Sequence, residues 1–162
     1  MYRSKMAAKQ FYQLARQAFG EALEPLGFSA ADSTACTFYR QVAGDIWHII
    51  RPVRSFRLPQ YDVWVFPHSP RLDPAFQEAY PDELSPPTDA WCKLHPTEGV
   101  GLSQEWYWCR SEDGMLRDFA ERVKPALLAH AIPFLDRVSS YDDLLPLIRS
   151  RYYRQQAGLA RD

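Results

Sequence analysis

The order of the hydrophobic patterns along the chain constrains its fold more than any single motif does. In residues 4–26 the apolar side chains recur every three or four positions, which predicts one amphipathic helix. Three short, aromatic-rich runs of alternating character follow at residues 37–42, 46–53 and 61–66. Helical spacing then returns from Glu112 onward. A helix, a set of strands and a helical C-terminus in this order are typical of the α+β class.

The strand patterns predict a mainly antiparallel sheet of about four strands. Residues 43–45 connect the first two runs, and so short a connection favours a hairpin. The fourth strand is predicted at residues 105–110, where Trp106 and Trp108 share one face. We expect the N-terminal helix and the C-terminal helices to pack on one face of this sheet.

The helix boundaries are marked by a few residues with special backbone properties. Gly27 follows the first helix, where a left-handed C-terminal cap is needed. Pro125 is expected to break or kink the helix that begins near Glu112, because its ring clashes with the preceding turn. A final helix is predicted to begin near Ser139 and Ser140.

The segment at residues 67–101 carries most of the prolines of the chain. Proline fixes φ and lacks an N–H donor, so the segment is predicted to be an irregular excursion. Residues 155–162 are predicted to form a frayed tail. Because no internal repeat and no long linker divides the sequence, residues 1–162 are predicted to form a single domain.

Charge and composition narrow the classes of partner. The formal net charge is -1, whereas a protein that binds nucleic acid phosphates usually carries a basic excess, so nucleic acid is disfavoured as a partner. No apolar run approaches the length of about 18 residues typical of a membrane span, and the first residues do not lead into an apolar signal core. A cytoplasmic location is therefore expected. The three cysteines are an odd number, which favours reduced, packed thiols.

Five short segments carry a resemblance to a known family. They are Leu26-Gly27-Phe28, Phe38-Tyr39-Arg40, the run from Ile46 to Ile50, Ile132-Pro133-Phe134-Leu135-Asp136 and Asp143-Leu144-Leu145. Together they resemble a bacterial family known as domain of unknown function 4304, over roughly residues 10–150. The resemblance implies an α+β fold. It supplies no established activity, so it implies no functional residue.

Cys92, His95 and Cys109 are the best candidate metal ligands in the sequence. A Cys-x-x-His pair can chelate zinc, with Cys109 as a third ligand and Glu98 or water as a fourth. Structural zinc sites usually have two close pairs of ligands, however, and Cys109 stands alone in a strand pattern where a packed thiol fits equally well. We therefore predict no metal and no cofactor, and the spacing leaves open whether the three side chains meet.

The sequence contains no G-x-S-x-G, H-E-x-x-H or phosphate-binding loop motif. The four histidines, His48, His68, His95 and His130, offer combinations with cysteine that arise by chance in any chain of this size. Whether the protein is an enzyme is therefore left open.

Arginine and tryptophan side chains on the predicted strands are the remaining candidates for a binding site. Arg40, Trp47, Arg51 and Trp64 are predicted to contact a ligand or partner on one sheet face. Tryptophan and arginine are common hot-spot residues at protein interfaces. The leading hypothesis is a non-enzymatic protein-interaction module with an unidentified protein partner. The alternative is a small enzyme or ligand-binding domain whose site is this aromatic, arginine-rich face.

Overall fold

The computed structural model describes residues 6–31, 36–72, 92–96, 98–101 and 106–147. It has the predicted α+β class. Helix α1 spans Ala8–Leu23 and continues into a 3-10 turn at Glu24–Leu26. Gly27 ends it with φ 89°, the left-handed conformation predicted from the sequence.

Among the described residues the sheet has seven strands, not about four. They are β1 (Ser29–Ala30), β2 (Phe38–Ala43), β3 (Ile46–Arg54), β4 (Gln60–His68), β5 (Cys92–His95), β6 (Gly99–Gly101) and β7 (Tyr107–Trp108). The first six lie in chain order, and each pairs antiparallel with the next. β7 pairs with β4 near its start, on the edge that β5 occupies further along. Of the predicted strand at residues 105–110, the described residues 106–110 contribute the central pair Tyr107–Trp108 to the sheet.

Short regular elements occur at both ends of the segment at residues 67–101, which the sequence predicts to be an irregular excursion. β4 extends through Pro67 to His68, and Pro70–Leu72 form a 3-10 turn. β5 and β6 form a hairpin in which His95 lies opposite Gly99. Residues 73–91, which contain Pro81, Pro86 and Pro87, lie outside the described residues.

Helix α2 runs without interruption over residues 112–136. It alternates between α-helical and π-helical stretches: Glu112–Asp118, Phe119–Val123 (π), Lys124–Ala126, Leu127–Ala131 (π) and Ile132–Asp136. Ser111 caps its start by accepting a hydrogen bond from the Gly114 amide. Pro125 and Pro133 each follow a π stretch by two residues, so Pro125 does not end the helix as expected.

Helix α3 spans Tyr141–Leu144 and begins where the sequence predicts. Ser140 and Asp143 form a capping box, in which each side chain accepts a hydrogen bond from the backbone of the other residue. A 3-10 turn at Leu145–Leu147 follows. The predicted frayed tail at 155–162 lies outside the described residues.

The core lies between the sheet and helices α1 and α2. Phe38, Ile50 and Val65 occupy neighbouring positions on three strands and point to the helical side of the sheet, here called the inner face. Phe11 and Phe19 of α1 and Phe119 and Val123 of α2 pack in the same cluster. Both helices thus cover one face, as predicted. Within the described part of the chain, no helix combines the length and apolarity needed to cross a bilayer.

Candidate interaction surface

The side of the sheet away from α1 and α2, here called the outer face, carries an aromatic row. Because side chains alternate along a strand, Trp47, Ile49 and Arg51 of β3 point to this face. The register places them opposite His68, Phe66 and Trp64 of β4, respectively. Ile49 and Phe66 in the middle of the face are fully buried, whereas Trp47 and Trp64 on either side are half-buried.

The structure therefore separates the four predicted binding residues. Trp47, Arg51 and Trp64 share the outer face, and Arg51 lies directly opposite Trp64. Trp47 lies four positions along β3 from Arg51, beyond the buried Ile49–Phe66 pair. Arg40 follows Phe38 by two positions and points to the inner face, so it is not part of a single site with the other three.

Several outer-face side chains are engaged with one another. Arg51 Nε donates a hydrogen bond of 2.9 Å to Thr37 Oγ1. The Lys93 ammonium lies 5.0 Å from the centre of the Trp64 ring and forms an ion pair of 3.1 Å with Asp62. The Lys93 ammonium, itself paired with Asp62, therefore makes a cation–π contact with the Trp64 ring.

Towards the β3–β4 turn the sheet becomes more exposed and more apolar. Trp106 and Trp108, beside β4, are 41% and 37% exposed. Phe56 and Leu58, in the β3–β4 turn itself, are 92% and 50% exposed. We call these four residues the hairpin-end patch. They lie at one end of the sheet, because the Cys109 amide donates to the Pro59 carbonyl and Trp108 lies opposite Gln60.

The β3–β4 turn has a defined local structure in spite of its exposed apolar side chains. The Ser55 amide donates to the Gln60 carbonyl, which closes the turn. The Ser55 hydroxyl accepts from the amides of Arg57 and Leu58. The turn therefore presents Phe56 and Leu58 on an ordered backbone, which lowers the entropic cost of using them in a contact.

Arginine side chains accompany the aromatic rings of the hairpin-end patch. The Arg110 guanidinium lies 4.3 Å from the centre of the Trp108 ring. Arg57 is exposed and stands between Phe56 and Leu58 in the sequence. The patch therefore combines apolar area with positive charge.

Sequence reasoning found part of this surface and missed the rest. Trp106 and Trp108 were recognised as sharing a face, and the structure places them on the outer one. No role was predicted for Phe56 and Leu58, because the sequence of a loop does not show whether an apolar side chain points into the core or into solvent. The sequence feature that could have indicated this exposed site is an aromatic and an aliphatic residue within a turn that also contains Pro59.

The candidate zinc ligands do not come together. Cys92 lies opposite Val65, whereas the Cys109 amide donates a hydrogen bond to the carbonyl of Pro59, just before β4. Pro59 precedes Val65 by six positions, which is about 20 Å at strand spacing. Cys92 and His95 are three residues apart in one strand and point to opposite sides. His95 Nδ1 accepts a 2.8 Å hydrogen bond from the Glu98 amide. Across the described ranges there is no group of three or more potential metal ligands.

Arg40 has a structural role on the inner face. Its guanidinium donates to His48 Nδ1 at 3.1 Å, to the Leu26 carbonyl at 2.9 Å and to Asp136 at 2.6 Å. It also lies over the Phe28 ring, 4.6 Å from the centre. Arg40 thus joins the sheet to the end of α1 and to the end of α2.

His48 extends this network to the segment between α2 and α3. Its Nε2 lies 2.7 Å from the Val138 carbonyl oxygen, and its Nδ1 accepts from Arg40. These contacts assign the neutral tautomer with the proton on Nε2. Burial lowers the pKa of His48 below its usual value of 6.5; the Arg40 charge lowers it further, while the Val138 carbonyl and Asp136 oppose the shift.

We expect His48 to make the protein less stable in mild acid. The pKa of His48 is lower in the folded protein than in the unfolded chain. Below pH 6.5 the unfolded chain therefore binds more protons than the folded protein does. The stability contributed by neutral His48 is fully present above pH 6.5. It is lost as the pH falls towards the pKa of His48 in the folded protein. Urea titrations at about pH 7.5 and about pH 5.5 measure this loss. His48→Gln, whose side chain is not titratable, is expected to lose less stability; an equal loss in both proteins would contradict the assignment.

No protein family, curated protein or solved structure matches the chain in the comparisons. The resemblance to domain of unknown function 4304 therefore stays a prediction.

Proposed function

We propose that the protein is a non-enzymatic interaction module that binds another protein through the hairpin-end patch. The observation that carries the proposal is the concentration of exposed apolar side chains at this end of the sheet. Among the described residues seven large apolar side chains are exposed, and four of them are Phe56, Leu58, Trp106 and Trp108. Exposed apolar residues scattered singly need no explanation, but a group at one site is typical of an interaction surface.

The residue types in the patch suit a binding hot spot. Tryptophan and arginine are enriched among the residues whose truncation weakens protein complexes most. Arg110 holds the Trp108 ring from one side, so less side-chain freedom is lost when the other side is covered. Fully burying an exposed phenylalanine such as Phe56 stabilises a complex by about 1.5–3 kcal/mol.

The charges at the patch indicate the chemistry of the partner. Arg57 and Arg110 are both exposed at this end of the sheet. A partner that offers apolar side chains flanked by carboxylates would complement both the apolar area and the arginines. Nucleic acid fits less well, because the formal net charge of the chain is -1.

Replacing both turn residues tests the proposal. Phe56→Ser together with Leu58→Ser removes apolar area from an exposed turn and leaves the core unchanged, so the melting temperature should be retained. We expect binding to a partner captured from extracts of the source organism to fall at least about tenfold, equivalent to about 1.4 kcal/mol. Quantitative mass spectrometry of captured polypeptides, with wild-type protein in parallel, gives the measurement.

The matched control replaces two exposed apolar residues elsewhere in the fold. Val42 and Leu128 are 38% and 47% exposed and do not belong to the hairpin-end patch. The double variant Val42→Ser and Leu128→Ser should capture the same partner as the wild type. If both double variants lose the partner to the same degree, the patch is not the specific contact surface.

A further inference from the structure

A cavity of about 250 Å³ lies between β6 and the second half of α2. It belongs neither to the hairpin-end patch nor to the outer-face aromatic row. Its walls include Gly99 and Val100 from β6 and His130, Phe134 and Arg137 from the helical side. The volume is below the range of about 300–1,000 Å³ usual for drug-sized ligands, so it suits a smaller metabolite.

The backbone at this cavity has two unusual features. Gly99 has φ 91°, and the position that a Cβ would occupy there lies 3.5 Å from His130 Nδ1. The β6 backbone therefore approaches the imidazole closely. His130 lies in the π-helical stretch Leu127–Ala131, and π stretches occur frequently at functional sites because they re-aim side chains.

The charged groups on the cavity wall are of both signs. Neither the His130 ring nor the Arg137 guanidinium has a hydrogen bond or ion pair with any residue that the structure describes. The Glu98 carboxylate also lines the cavity, 4.0 Å from His95 Nε2. A simple anion would be attracted by Arg137 and repelled by Glu98, whereas a molecule with both charges would be attracted by both.

The lining exposes more polar than apolar surface, and its apolar residues include Val100 and Phe134. Val100 and Phe134 are partly buried and pack against the main core, which holds their side chains in place. An apolar ligand group that packs against them would be removed from water, and no mobile protein side chain would have to become ordered.

We infer that this cavity binds a zwitterionic metabolite of amino-acid size with an apolar side chain. Arg137, together with His130, pairs with the carboxylate of the ligand. Glu98 pairs with its ammonium group, and Phe134 and Val100 contact its side chain. Arg137 and Glu98 thus recognise the two ends of the ligand.

Amide NMR titration of the full chain with L-phenylalanine as the probe tests the inference. Saturable shifts are expected at Gly99 and Val100 and at the amides near His130. Phenylethylamine lacks the carboxylate and 3-phenylpropionate lacks the ammonium group. Each is expected to bind at least about tenfold more weakly, because each loses one charge-assisted pair.

Two variants locate the contacts. Arg137→Gln and Glu98→Gln should each weaken L-phenylalanine binding at least about tenfold, whereas Arg117→Gln, an exposed arginine of α2 outside the cavity, should not. Three results would overturn the inference: no saturable shift up to about 10 mM probe, unchanged affinity in Arg137→Gln, or equal affinity for 3-phenylpropionate and L-phenylalanine.

Discussion

Replacing Phe19 with alanine is expected to lower the free energy of unfolding by about 3–5 kcal/mol. Phe19 is fully buried where α1, the sheet and α2 meet. Its ring centre lies 6.2 Å from that of Phe38 on β2 and 4.9 Å from that of Phe119 on α2. Alanine would leave a cavity between three elements that cannot all move in to fill it. The loss of stability therefore includes both the lost burial of the ring and the cost of the cavity.

Urea titration followed by circular dichroism gives the measurement for Phe19→Ala. Phe19→Leu keeps most of the volume and is expected to lose less stability, which keeps the test informative if the alanine variant does not fold. Leu128→Ala is the control, because Leu128 is 47% exposed and its truncation should change stability by no more than about 0.5 kcal/mol. A loss below about 1 kcal/mol in Phe19→Ala would contradict the placement of the core.

Replacing Arg40 with leucine is expected to cost about 2–4 kcal/mol. The loss comes from two partly buried acceptors, the Leu26 carbonyl and His48 Nδ1, which would lose the Arg40 donor. The ion pair with Asp136 contributes less, because the Asp136 side chain is 59% exposed and the pair is screened by solvent.

Arg117→Leu provides the control for Arg40→Leu. Arg117 is exposed on α2, so its loss should change stability by no more than about 0.5 kcal/mol. The binding assay separates the structural role from the earlier expectation that Arg40 contacts a partner. A folded Arg40→Leu protein should bind the partner as the wild type does. Lost binding with unchanged stability would place Arg40 at a contact surface after all.

The α+β class and the main strands follow from the sequence because their patterns are long enough to be distinctive. β3 and β4 have nine residues each, and both were predicted within a few positions of their ends. The short strands could not be predicted in the same way. β1 has two residues and β6 has three, so neighbouring strands rather than their own patterns hold them in place. β7 was predicted, from the shared face of Trp106 and Trp108, but as a longer strand than the two residues observed.

The continuity of α2 also depends on more than the local pattern. A proline in a helix removes one hydrogen bond and crowds the preceding turn, which predicts a break or a kink at Pro125. In the structure the wider π stretch Phe119–Val123 precedes Pro125, and the helix continues. A pattern of apolar spacing does not reveal such a stretch.

The candidate site was predictable in part. Arg40 follows Phe38 by two positions on one strand, so alternation alone places it on the core side with Phe38. The exposure of Phe56 was not predictable, because the direction of a turn residue is set by the hydrogen bonds of Ser55 and not by hydrophobicity. Exposure is the property that distinguishes the hairpin-end patch from the buried Ile49–Phe66 pair on the same sheet.

Site-specific photo-crosslinking in cells of the source organism tests the central claim most directly. A photoreactive phenylalanine analogue at position 56 would replace a side chain that is 92% exposed, and the same analogue at position 128 serves as the control. We expect a discrete adduct with one polypeptide from position 56 and none from position 128. No adduct from position 56, or the same adduct from both positions, would contradict the assignment of the hairpin-end patch as the contact surface.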